Sequence, residues 1–184
     1  MLNLRYEAEI RKLLIELSDA GDRYDEARAL RCFHPDATDE HGSLYGGPAS
    51  EFVRWGMRID RPGAATRIHH ALSNMRIEIT GDIAACQTYV TATHFKTESD
   101  GGTFIIWFGG RYLDRIERRD GIWKIGYRKV IMDWDLRVPY TPGYEPNAWP
   151  TGTRSVEDES VAFFDRLSRG RSWPERPFKS QSED

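Results

Sequence analysis

Thr103-Phe104-Ile105-Ile106-Trp107-Phe108-Gly109-Gly110-Arg111-Tyr112-Leu113-Asp114-Arg115-Ile116, then Arg119-Asp120-Gly121, then the run from Ile122 to Asp135, is the stretch whose reading decides the fold. Two runs with strand composition flank Asp-Gly, a pair that supplies the positive φ angles of a tight hairpin. Two long antiparallel strands follow. The return strand carries apolar residues on both faces: Trp123, Ile125, Tyr127 and Ile131 on one, Ile122, Val130, Met132 and Trp134 on the other. A one-domain sheet normally needs one apolar face, so the second predicts a homo-oligomer, a dimer or a trimer.

Working back toward the N-terminus, the alternation starts after Arg61-Pro62-Gly63. Met75, Ile77 and Ile79 alternate with Arg76 and Glu78, Gly81-Asp82 turns the chain, and Ile83 to Phe95 returns. Residues 97–102 form a polar tip. Before this sheet the periodicity is helical. Tyr6, Ile10, Leu13, Leu14 and Leu17 predict an amphipathic first helix, Gly21 can end it, and Asp25 can cap the next. Asp22 is left at the corner. The second helix carries Ala29, Leu30 and Phe33 and stops at His34-Pro35. His34, Asp36, Asp39 and His41 follow in a loop, where they read as turn and capping residues because no metal-ligand spacing is present. Pro48 opens a third helix with Phe52, Trp55 and Ile59 on one side, a lid over one end of the core.

Downstream, residues 138–152 are rich in Pro, Gly and Tyr and read as a flap with Tyr140, Tyr144 and Trp149. Ser155 and Asp158 resemble a capping box that opens a short helix through Val161, Phe164 and Leu167. From Arg169 the chain is polar and reads as a frayed tail. The organisation is therefore a domain over 1–137, a flap and short helix over 138–168, and a tail over 169–184.

The chain has 184 residues, 39% hydrophobic and 30% charged, with net charge −3 and both signs interleaved. That supports one globular domain and gives no electrostatic footprint for nucleic acid or an anionic membrane. Cys32 and Cys86 lack partners at metal-site spacing and read as structural thiols. The N-terminus breaks into charge too early for a signal peptide, and the apolar run Phe104–Phe108 is too short to span a bilayer. A soluble, cytoplasmic protein is expected.

Three helices followed by a long meander indicate an α+β domain whose curved antiparallel sheet wraps around the helices as a cone. Its mouth is a concave, mostly apolar site suited to a small molecule. A set of motifs in order sharpens this: His34-Pro35-Asp36-Ala37, Asp39-Glu40-His41-Gly42, the strand start at His69-His70, Gly109-Gly110-Arg111-Tyr112, Glu117 through Lys124, and Asp133-Trp134. Together they resemble the SnoaL-like group of the nuclear transport factor 2-like superfamily over roughly residues 5 to 137.

Imidazole is the side chain suited to proton transfer near neutral pH. The resemblance to the superfamily's cofactor-free lyases, the dehydrochlorinase and the scytalone and bile-acid dehydratases, implies an Asp-His dyad. Asp22 and His70 match its places, and strand alternation turns His69 to the other face. Read alone, Asp22 is more readily a solvated corner residue or a cap; the matching place of His70 reverses that. A carboxylate beside an imidazole fixes its tautomer and stabilises the imidazolium, so His70 would take the proton while Asp22 balances its charge. Arg128 matches an arginine of the dehydrochlorinase-like members, implying stabilisation of developing negative charge. The alternative is an ion pair to Asp22 or Asp133. His41, Tyr45, His94 and Tyr24 are candidate substrate-binding wall residues, with His41 standing where the dehydratase has a Tyr.

These readings predict a lyase with no cofactor and no metal, acting on a hydrophobic cyclic or aromatic small molecule by elimination or by formaldehyde-releasing C–C cleavage of a lignin-derived diaryl compound. Two alternatives stay open. One is an isomerase or cyclase with the same base; the other is a noncatalytic module akin to the small subunit of an aromatic-ring dioxygenase.

Overall fold

The computed structural model describes residues 2–58, 64–144 and 149–169. At the deciding hairpin, Asp120 and Gly121 take φ angles of 53° and 81°, and Arg119 pairs with Ile122. The chain runs α1 (Leu2–Asp22), α2 (Glu26–Arg31), β1 (Phe33–Glu40), β2 (Gly46–Pro48), α3 (Ala49–Gly56), β3 (Arg67–Thr80), β4 (Ile83–Thr97), β5 (Thr103–Arg119), β6 (Ile122–Pro139) and α4 (Glu159–Ser168). The strands form one sheet in the order β2-β1-β6-β5-β4-β3. All neighbours are antiparallel except β1, which runs parallel to β6. This is an α+β cone with an unclosed sheet.

Helix α1 packs its Ile10, Leu14 and Leu17 side against the sheet, where they join Ile116, Trp123 and Ile125 in the main core. The spacing of those three residues is what makes this possible, since side chains at i, i+4 and i+7 share one helix face. A smaller cluster of Val90, Ala92 and Tyr112, with Leu72, Phe108 and Val130 against it, lines the sheet further on.

The register is interrupted where faces must switch. Between Arg115↔Tyr127 and Ile116↔Ile125, β6 holds one extra residue, Gly126. A bulge of this kind moves all later side chains to the other face. Trp123 and Ile125 therefore share the concave face with Arg128 and Val130, while Tyr127 turns outward and bonds Glu40 on β1. The expected grouping of Tyr127 with Trp123 and Ile125 is corrected by this shift. A second shift leaves Asp133 unpaired between Met132 and Trp134, and Trp134 then lies against Trp107, 5.3 Å between ring centroids. Val130 and Met132 are thereby separated from Ile122 and Trp134. On β3 a third shift between Ser73 and Arg76 coincides with Asn74 at φ 44° and brings Met75, Ile77 and Ile79 to the core side.

Other expectations also change. Phe33 is the first residue of β1 rather than part of the second helix, because α2 ends at Arg31. The stretch from His34 to Glu40 is strand, not loop, and Gly46-Gly47-Pro48 is a short strand before α3. Ile59 lies outside the described residues, as does the tail beyond Arg169. Asp25 does cap α2, accepting from the Arg28 backbone N–H. Asp158, not Ser155, caps α4: its carboxylate accepts from the Ser160 backbone N–H and hydroxyl and from the Thr153 N–H. The Ser160 hydroxyl, with the Thr153 and Ser160 N–H groups, holds the Asp158 carboxyl down to about 2 despite its burial.

Of the flap, residues 145–148 lie outside the described set. Tyr140 packs edge-on against Phe95, while Tyr144 and Trp149 are exposed. The segment after it straps onto the α1–α2 corner. Arg23 donates to the Thr153 carbonyl at 2.6 Å and pairs with Asp158 at 3.3 Å. Among the described residues, no helix is long and apolar enough to cross a membrane.

The Gly109-Gly110 motif has a steric cause. A Cβ at Gly109 would meet the Trp134 ring at 2.5 Å, and one at Gly110 would sit 2.2 Å from the Ile131 carbonyl oxygen. Gly110→Ala should cost about 2 kcal/mol or more, since backbone must move to admit the methyl. Gly56→Ala in α3, with open space around it, should be neutral or stabilising by about 0.5–1 kcal/mol. Urea midpoints of the two variants against the parent test the contrast.

Candidate active site

Asp22 is the last residue of α1, and β3 is the edge of the sheet. An edge strand has backbone N–H groups without a strand partner. Asp22 satisfies one of them: its Oδ2 accepts the His70 N–H at 3.0 Å, while its Oδ1 lies 2.6 Å from His70 Nδ1. A carboxylate only accepts, so Nδ1 carries the proton and Nε2 presents its lone pair. The Asp22 side chain is 8% exposed and that of His70 17%. The carboxylate is shielded, and the imidazole in front of it is partly exposed. His69, one residue earlier, is exposed on the other face.

His94 comes from β4, two residues beyond Ala92, which is the partner of His70 across the strands. Its ring stands edge-on to His70 at 5.8 Å and to Phe108 at 5.0 Å. Val90, Ala92, Leu72 and Phe108 supply the apolar lining beside it.

Deeper on the concave face lies a buried ion pair. Arg128 donates to both oxygens of Asp114, Nε at 2.7 Å and Nη2 at 2.9 Å, and its guanidinium stands 4.1 Å from the Tyr112 ring centroid. The partner is neither Asp22 nor Asp133: Asp133 pairs instead with Arg111. Burial would lower the Arg128 pKa, but the charge and hydrogen bonds of Asp114 outweigh it and the net direction is upward. Burial pushes the Tyr112 phenol up to about 12 and the Cys32 and Cys86 thiols up to about 11 and about 12, so all three stay protonated.

The remaining expected wall residues divide. His41 follows β1 and stacks on Phe52 of α3 at 3.9 Å, with its Nδ1 2.6 Å from Asp39 Oδ1. Tyr45 packs against the same Phe52, and its hydroxyl donates to the Pro48 carbonyl, in an exposed setting. The Tyr24 hydroxyl is engaged: it donates to the Ala65 carbonyl at 3.4 Å and accepts from Arg154, whose guanidinium lies 3.5 Å above the Tyr24 ring. His34, Asp36, Asp39 and His41 separate, with His34 on the Glu117 carbonyl, Asp36 on Arg119 and Asp39 beside His41. Among the described residues, no cluster of three or more His, Cys, Asp or Glu side chains could hold a metal ion.

Asp114, Tyr112, Asp39 and Arg154 were not singled out as site residues by the sequence. The bulge explains the first. Counting back from the Asp120-Gly121 turn without it places Arg128 opposite Leu113; with one extra residue at Gly126 it faces Asp114. A glycine inside a strand pattern was the available signal.

With this geometry in view, the sequence profile of the SnoaL-like domain matches residues 3–129. The chain belongs to the SnoaL-like domain family. Solved structures share the fold. A proposed scytalone dehydratase from Novosphingobium aromaticivorans is 18% identical, with 81% of this chain and 97% of that chain covered and a TM-score of 0.63. A hexachlorocyclohexane dehydrochlorinase of type 3 from Novosphingobium barchaimii is 19% identical over 76% of this chain and 97% of that one, with a TM-score of 0.65. A protein from Kribbella flavida is 21% identical over 71% and 92%, with a TM-score of 0.62. No curated protein matches the sequence.

The family match ends just past Arg128, whose pair with Asp114 lies in the buried polar floor. Removing one partner of a buried pair strands the other, so Arg128→Leu should lower stability by about 3–5 kcal/mol. Replacing Arg128 and Asp114 together by leucine should cost less than the single change. Denaturant titration of both variants reads the difference.

Proposed function

We propose that this SnoaL-like protein is a cofactor-independent lyase acting on a hydrophobic cyclic or aromatic small molecule. The contact of Asp22 Oδ1 with His70 Nδ1 at 2.6 Å carries the reading. It leaves Nε2 of a partly exposed imidazole as a base, beside apolar walls that exclude water from the reacting carbon. His70 takes the proton, Asp22 holds the ring and balances the imidazolium, and Arg128 adds positive potential beneath the developing anion. The dehydratase and dehydrochlorinase among proteins of the same fold support an elimination. A retro-aldol cleavage that releases formaldehyde from a diaryl compound starts from the same base, by removing a hydroxyl proton. An isomerase or cyclase would also share it. A noncatalytic subunit has no need for a carboxylate buried against an imidazole, and the close contact speaks against it.

The outer face carries Trp107, Trp134, Leu136 and Val138, all 40–50% exposed. A band of this kind supports assembly into a homo-oligomer through the convex side of the sheet.

His70→Ala should abolish turnover, and Asp22→Asn, which keeps the shape but not the charge, should lower kcat by about 10²–10⁴-fold. The assay set is β-hydroxy aryl ketones, followed by alkene absorbance, and diaryl propanediols, followed by formaldehyde release. Circular dichroism should stay that of the parent. Turnover retained by folded His70→Ala would sink the assignment.

A further inference from the structure

Charge balance on the concave face singles out a second imidazole. Asp22, Asp39 and Asp114 are all buried there, and the buried guanidinium of Arg128 is committed through two hydrogen bonds to Asp114. An ionised carboxylate in a dry interior requires a cation or several donors. Asp22 accepts two donors from His70, its backbone N–H and Nδ1–H, and Asp39 has the His41 ring beside it. The pairs share one profile: separations of 2.6 Å in both, carboxylates 8% and 2% exposed, imidazoles 17% and 20% exposed. They differ in alignment. Asp39 Oδ1 and His41 Nδ1 are close but not directed as a hydrogen bond, and the Phe52 stack fixes the His41 ring plane.

The second pair belongs to the same face. Asp39 stands beside Arg128 in the β1–β6 register, and Arg128 beside Asp114 in the β6–β5 register. His41 lies two residues beyond Asp39, just past the end of β1, and its ring turns back to Asp39. The polar floor of Tyr112, Arg128 and Asp114 is thus flanked by one Asp-His pair from the β3 side and another from the β1 side.

We propose that His41, held beside Asp39, is the second acid–base residue of this site and protonates a leaving hydroxyl. The inference rests on the lyase reading and narrows its substrate to an aryl compound with a hydroxyl β to an acidic C–H. His70 Nε2 removes that proton, and the C–H electron pair becomes the new C=C bond. The C–O bond breaks with its pair on oxygen, and His41 Nε2 gives the proton that lets water leave. His70 ends protonated and His41 neutral; exchange with solvent restores both. Hydroxide leaves poorly without an acid, whereas chloride does not need one, so a second imidazole selects for dehydration.

The test uses 3-hydroxy-1-phenylpropan-1-one and its 3-chloro analogue, which both yield phenyl vinyl ketone. His41→Asn should lower hydroxide elimination by about 100-fold or more, the scale of general acid catalysis, and reduce the hydroxide-to-chloride rate ratio by a similar factor. Asp39→Asn should move the ratio in the same direction, and His41→Gln serves if His41→Asn lowers the thermal midpoint. Equal loss on both leaving groups, or no loss, overturns the proposal. If His70→Ala keeps both activities, the base assignment falls instead. A readout that needs no turnover is titration with propiophenone, which lacks a leaving group, followed through the imidazole C–H resonances. His41 and His70 should move along one saturation curve. Movement of His70 alone overturns the role of His41 and leaves the base standing, and movement of neither overturns both.

Discussion

The buried ion pair on the concave face depends on one residue being out of step. A regular β6 carrying Trp123 and Ile125 inward would point Arg128 outward, because strand side chains alternate. The extra residue at Gly126 reverses the parity, and Arg128 arrives opposite Asp114 and beside Asp39. A Cβ at that position would stand 2.6 Å from the Glu117 carboxylate, which would have to swing aside. The same strand therefore builds a hydrocarbon core at its start and a charged floor further along. Separate shifts at Asn74 and Asp133 do comparable work at the neighbouring strands.

This division explains what the sequence disclosed and what it withheld. Helix α1 was legible because Ile10, Leu14 and Leu17 hold a single period, and the β5–β6 hairpin because Asp120-Gly121 admits few backbone shapes. Asp22 and His70 were legible as places in a resemblance; their contact is a property of the edge strand, whose free N–H the carboxylate also takes. The facing of β6 was not legible, since periodicity assumes an unbroken register and the bulge breaks it. Nor was β1: His34-Pro35 ends a helix by local rules, but the strand that begins at Phe33 is dictated by pairing with residues about ninety positions later, a tertiary term no local pattern carries.

The interior also shows how one fold can hold three acids without collapse of stability. Each is matched locally, Asp114 by a guanidinium gripping both oxygens, Asp22 and Asp39 by imidazoles. A guanidinium keeps its charge at all ordinary pH, while an imidazole exchanges it. The permanent cation is the most deeply buried of the three, and the imidazoles lie further toward solvent.

The strap that carries Arg154 has a further meaning for how the protein is made. Tyr24 sits in a left-handed backbone conformation, at φ 54°, at the corner that presents Asp22, and the ring of that residue is covered by Arg154. Such a conformation costs about 1–2 kcal/mol for a residue with a side chain. β1 likewise waits for β6. The first corner of the chain is thus completed by its last segments, which makes the topology high in contact order and places its assembly late. A nascent chain leaving the ribosome carries α1 well before β5 and β6 supply the Ile116, Trp123 and Ile125 that cover its apolar face, so the corner that presents Asp22 is completed only after the sheet strands have been synthesised.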